Sequence, residues 1–139
     1  MHPPSTKPLR IRPEQLAFFH EEAARRLVLD ILEHVKEHVP ESVSGLDEAE
    51  QVRRCEIGLR RALQFGLTAR EFASLVIWVR LMFSVSPDFD LHPACSAILG
   101  DRHSPPVMRV ESLLSSRNAI PWEEIPKANG EAAWRNRQP

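Results

Sequence analysis

The sequence predicts an all-α fold, a compact bundle of about five helices. Three observations carry that reading. Apolar residues recur every three or four positions through three long segments, which is the helical period. Proline, glycine and capping residues interrupt the pattern at helix-length intervals. No stretch of useful length alternates apolar and polar residues as a half-buried strand would.

The elements follow in order. Residues 1–10 carry three prolines and no periodic pattern, and read as a flexible N-terminal arm. A helix is predicted from Pro13, a residue favoured at the first helical position, with Glu14 suited to the positive helix end. Its apolar stripe is Leu16, Phe19, Ala23, Leu27, Ile31, Val35 and Val39, and the helix should end before Pro40. Pro40 to Gly45 reads as a loop. Asp47 then caps a second helix, with Glu50 three residues later in capping-box spacing. Val52, Cys55, Leu59, Ala62 and Leu63 form its stripe, and Gly66 ends it in the left-handed backbone region.

Thr68 and Glu71 repeat the capping-box spacing ahead of a third helix with Phe72, Leu75, Val76, Val79, Met82 and Phe83. Ile77, Trp78 and Leu81 lie off that stripe, so this helix is expected at the centre. The chain breaks at Ser86-Pro87-Asp88-Phe89-Asp90. Pro93 opens a short fourth helix stopping at Gly100, and Pro105-Pro106, after the cap candidate Ser104, open a fifth with Val107, Val110, Leu113 and Leu114. The expected organisation is an arm over 1–10, a helical domain over 11–117, and an irregular or docked tail over 118–139.

Composition narrows the function classes. A chain of 139 residues fits one domain. Eighteen basic against nineteen acidic residues give a net charge of −1, without the basic excess that nucleic-acid binding draws on. The most hydrophobic run, Leu75 to Phe83, is too short for a membrane span and contains Arg80. The N-terminal residues carry no apolar stretch of the secretory type. Two cysteines without metal-type spacing read as reduced thiols. A cytoplasmic protein is expected, with no nucleic acid and no membrane among its partners.

Two constellations bear on chemistry. His34-Val35-Lys36-Glu37-His38 matches H-x-x-E-H, in which histidines one turn apart bind zinc and the glutamate acts as a base. A zinc-dependent hydrolase is thus an alternative, disfavoured because a catalytic zinc needs a third protein ligand and helix-end histidines complement the dipole. Asp88, Asp90 and His92 offer acid and base groups close together. The structural reading is that Asp88 or Asp90 caps the helix opening at Pro93, while Phe89 anchors the loop. Cys55, on an apolar stripe, reads as a small buried hydrophobe, and Cys95 with a single nearby histidine is too little for a catalytic pair. Five glycines form no phosphate loop. No catalytic, cofactor-binding or metal residue is assigned, and no cofactor is expected.

Candidate partner-binding residues remain. Trp122 and Trp134 stand in the weakly periodic tail, and tryptophan is enriched in binding hot spots. Folding back onto the helical body is the equal alternative. Arg53, Arg54, Arg60 and Arg61 form a doubled basic stripe on the second helix, either a solvated ion-paired face or a seat for an acidic partner.

The runs Ile11-Arg12-Pro13-Glu14-Gln15-Leu16, Phe65-Gly66-Leu67-Thr68-Ala69-Arg70-Glu71-Phe72 and Leu81-Met82-Phe83-Ser84-Val85-Ser86-Pro87-Asp88-Phe89-Asp90 resemble a group of small helical bacterial proteins. Those are encoded beside type VI secretion spike, PAAR-tip and effector genes. The resemblance covers about Ile11 to Gly100; Ser86 stands where the family usually has glycine, and nothing after Ser116 matches. It implies a non-enzymatic accessory, an effector-loading adaptor or co-chaperone, with a secreted effector or spike component as its protein partner. The same gene neighbourhood also admits an immunity protein that neutralises a cognate toxin.

Overall fold

The computed structural model describes residues 22–115, 117–127, 130–135 and 137. The arm, the helix start at Pro13 and the stripe positions Leu16 and Phe19 lie outside the described residues. Among the described residues there are seven α-helices and no strand: α1 (Glu22–His38), α2 (Pro40–Val43), α3 (Glu48–Phe65), α4 (Phe72–Ser84), α5 (Pro93–Leu99), α6 (Pro106–Leu113) and α7 (Glu131–Trp134). A 3-10 turn, Phe89–Leu91, links α4 to α5. Five of the helices have seven or more residues, in line with the expected bundle.

Helix α4 is the centre. It packs against α1, α3, α6 and the short α2. Leu75, Val76, Trp78, Val79, Leu81, Met82 and Phe83 are all buried, so its apolar residues off the stripe are used by neighbours on several sides. Gly58 lets α3 approach closely: a Cβ there would meet a Val79 methyl at 3.1 Å and the Met82 sulfur at 3.4 Å. Trp78 sits between Phe65 and Phe89, with ring centroids 5.0 Å from each. Offset and edge-on aromatic pairs of this kind stabilise beyond the area they bury.

Helix α1 buries Ile31 and Val35 of the expected stripe, but in its first turns the inward positions are Ala24 and Val28 rather than Ala23 and Leu27. Ala24, Val28, Ile31, Leu32 and Val35 are buried, while Ala23 is exposed and Leu27 is half-buried. Val28 and Leu32 extend the Ile31–Val35 seam, and burying the larger Val28 and Leu32 side chains sets the rotation of the helix that leaves Ala23 outside.

The helix ends follow local chemistry. Asp47 Oδ1 accepts from the Glu50 N–H at 2.8 Å, a cap of about 1 kcal/mol. Gly66 has φ of +124°, a region that side chains disfavour, and its N–H reaches the carbonyls of Ala62 and Leu63. A Cβ on Gly66 would also press Pro106 at 3.1 Å. The Thr68–Glu71 box forms by half. Glu71 Oε1 accepts from the Thr68 N–H at 2.7 Å, while the Glu71 N–H goes to the Thr68 carbonyl.

Three local expectations are corrected. The segment after Pro40 is a helical turn, α2, because proline fits the first helical position and Val43 finds a buried seat. His92, and not Asp88 or Asp90, caps α5: its Nδ1 accepts from the Ala94 N–H at 3.2 Å. Pro105 stands at the cap position of α6 with no side-chain bond, and Ser104 instead offers its carbonyl to Arg109 Nε at 2.6 Å. Beyond residue 117, Ile125 and Trp134 enter the core, so the tail is docked at these described residues. No described helix is long and apolar enough to cross a membrane.

Candidate functional site

Arg53, Arg54, Arg61, Asp88 and Asp90, all singled out by sequence, converge on one place, the surface of α3 and the 3-10 turn that receives the tail. Arg53 and Arg54 are neighbours in the second turn of α3, and both reach Glu50: Arg53 Nη1 at 2.8 Å and Arg54 Nε at 2.7 Å. The other arm of Arg53, Nη2, donates to the backbone carbonyls of Trp134 and, at 2.8 Å, Arg137. Arg54 is buried and stacks its guanidinium 5.3 Å from the Trp134 ring centre. Such a cation over an indole face contributes about 1 kcal/mol or more once desolvated. One carboxylate therefore anchors two cations that hold the tail.

Two turns further along α3, Arg61 faces the loop after α4. Its Nη2 donates to both oxygens of Asp90 at 2.8 Å, and Nη1 reaches Asp88 Oδ1 at 3.1 Å. Asp88 Oδ2 in turn accepts from Arg137 Nη2. The candidate acid/base pair is thus a tether between α3, the 3-10 turn and the tail. Ser86 Oγ accepts from the Asp88 N–H at 3.0 Å, so this serine helps shape the turn. Phe89 is buried under Trp78, the anchoring role expected of it.

Trp134 is fully buried, 5.9 Å from the Phe83 ring, and is not an exposed hot spot. Burial of a side chain this large against helical partners outweighs what a free tail would retain. Trp122 is half-buried and lines a hollow of about 270 Å³ with Arg80, Leu81, Val85 and Leu114. Arg53, Arg54 and Arg61 are correspondingly not a solvated basic stripe, since intramolecular partners occupy them. Arg60 is half-buried on the same helix and is not a free cation. An open cleft of about 710 Å³ lies beside this region, lined by Glu41, Asp47, Glu50, Arg53, Arg54 and Glu131 among others.

His34 and His38 stay exposed on α1. Each ring Nδ1 sits within hydrogen-bond distance of the carbonyl one turn earlier, Asp30 at 2.9 Å and His34 at 2.7 Å. A carbonyl only accepts, so Nδ1 carries the proton and Nε2 points away. His34 also packs edge-on against Phe72. Among the described residues, no group of three His, Cys, Asp or Glu side chains is placed to hold a metal ion.

Both cysteines are buried. Desolvation, with Glu56 adding to it, pushes the Cys55 thiol far above its ordinary range. Burial, helped by the charge of Asp90, pushes Cys95 up to about 11. Neither is a thiolate nucleophile near neutral pH.

Sequence reasoning missed three functional contacts here: the pairing of Arg61 with Asp90, the grip of Arg53 on tail carbonyls, and His92 as a cap. Only the last had a local signal, a side-chain acceptor immediately before a helix-opening proline. Compared with protein-family models, curated proteins and solved structures, the chain matches none.

Proposed function

We propose that this protein is a non-enzymatic binding accessory of a bacterial type VI secretion cluster, an effector-loading adaptor or co-chaperone. The observation that carries the non-enzymatic part is the use made of the polar residues. Asp88, Asp90, Arg61 and Arg53 tie the tail to the body, and His92 caps a helix. The thiols are buried with raised pKa. The groups that the sequence offered for chemistry thus have structural work.

The secretion part rests on the resemblance through Gly66-Leu67-Thr68 and Pro87-Asp88-Phe89-Asp90. These residues build the α3–α4 corner and the 3-10 turn, so they define the body on which a partner would sit. Leu91 and Met108, 67% and 55% exposed, are apolar side chains available for contact with a partner.

The test is co-expression with the products of the adjacent genes. A stable complex with an effector or spike protein supports the proposal. Failure to co-purify with any of them overturns it. Rescue of cells from an adjacent toxin by this chain alone would assign the immunity role instead.

A further inference from the structure

We infer that the tail beyond Ile120 is exchangeable between two copies of this chain, with Ile125, Trp134 and Arg137 of one copy seated on α3 and α4 of the other. The inference does not depend on the function proposed above.

The seat recognises the tail by features that are blind to which copy supplies it. Arg53 reads the backbone carbonyls of Trp134 and Arg137, Arg54 covers the indole, and Asp88 takes the Arg137 guanidinium. The segment that fits this seat is the chain's own tail. A second copy therefore brings a complete complement, and a symmetric pair satisfies both seats. Exchange of identical elements is a low-cost route to a dimer because every internal contact is remade.

The connection supplies the drive. After α6 the chain doubles back through a turn in which the Asn118 N–H meets the Ser115 carbonyl at 3.2 Å and Asn118 Nδ2 meets the Ser112 carbonyl at 2.5 Å. The next residue, Ala119, has φ of +46°, the only positive φ at a described residue other than glycine. A Cβ-bearing residue pays to occupy that region. Extending the connection toward a second copy releases this cost while keeping the docked contacts. A short connection under strain is what favours exchange over closure.

The tail is also separable from the body. Helix α7 has four residues and no side-chain cap, so it is built by its seat and not by itself. The Trp134 Nε1–H has no hydrogen-bond partner among the described residues, a cost carried equally by the closed and the exchanged forms, so the preference between them rests on the connection.

The experiment is light scattering of the full chain over micromolar to millimolar concentration, for the parent and for Ala119→Gly and Ala119→Pro. Proline cannot adopt the observed φ, so Ala119→Pro should tighten dimerisation by roughly tenfold or more. Ala119→Gly, which removes the cost, should weaken it several-fold. Adding Trp134→Ala to Ala119→Pro should abolish the dimer; if that variant does not fold, Arg137→Ala replaces it, keeping the core and loosening the seat. A monomeric Ala119→Pro chain whose tail amides exchange freely overturns the inference. So does a dimer that persists when Trp134 or Arg137 is removed.

Discussion

Arg61 and Asp90 are joined across 29 residues of sequence by one guanidinium nitrogen, which donates to both carboxylate oxygens at 2.8 Å. The side chains are 24% and 18% exposed, so this pair is neither a screened surface contact nor a desolvated one. Exposed ion pairs contribute up to about 1 kcal/mol and hydrogen bonds to charged groups about 1.5–3 kcal/mol, which brackets the expectation. Arg61→Ala should therefore cost about 1–2 kcal/mol in urea unfolding, and Arg61→Lys roughly half of that. Because Asp88 couples the same guanidinium to Arg137, Arg61→Ala should also raise amide exchange in α7 before it raises exchange in α4. Equal effects on the two helices would show that no such coupling exists.

Trp134→Ala should be the most costly single change in the tail. The ring is fully buried and contacts Phe83 and the Arg54 guanidinium. Truncating a buried Trp costs about 3–5 kcal/mol. Trp122→Ala, at a half-buried site, should cost clearly less. Denaturation midpoints of the two variants decide this, and comparable losses would contradict the placement of Trp134.

Much of the fold was legible because it is local. Asp47 sits three residues from Glu50, Gly66 follows its stripe directly, and prolines open α5 and α6. Caps and breakers act within one turn, so sequence displays them. The site was hidden because it is not local. Arg53 meets Trp134 across 81 residues and Arg137 meets Asp88 across 49. No spacing rule connects such positions. Trp134 stood in a helix of four residues, too short for any period to show. The stripe of α1 was right at Ile31 and Val35 but shifted by one position in the first turns, because Ala23 and Ala24 are the same residue and only packing separates them.

The cysteines give a pH dependence of definite sign. Cys95 has a folded pKa of about 11 against an ordinary thiol value of 9.0, raised by burial and then by Asp90. Cys55 is raised further, by burial and then by Glu56. A raised folded pKa means that the native state holds its proton more tightly than the unfolded chain. This contribution is fully present below about pH 8.5 and is lost as pH rises toward 11 and beyond. Stability of the parent should fall across that window more steeply than that of a Cys55→Ala, Cys95→Ala chain. Both thiols should resist a disulfide exchange reagent at pH 8 until denaturant is added. Rapid labelling of the native chain would contradict the burial.

The paired histidines of α1 provide the sharpest check on the alternative chemistry. His34 and His38 are exposed, and each ring donates its Nδ1 proton to the preceding turn of the helix. That leaves two Nε2 atoms on one face, enough for weak chelation of a divalent cation but one protein ligand short of a catalytic zinc. Glu37, the third member of the motif, is itself exposed. A chelator should leave the unfolding midpoint of the purified chain unchanged. His34→Ala and His38→Ala should each cost no more than about 1 kcal/mol, through lost helix-end and Phe72 contacts. A stoichiometric zinc that survives purification, and a fall in stability on chelation that both substitutions abolish, would instead establish a metal site on α1.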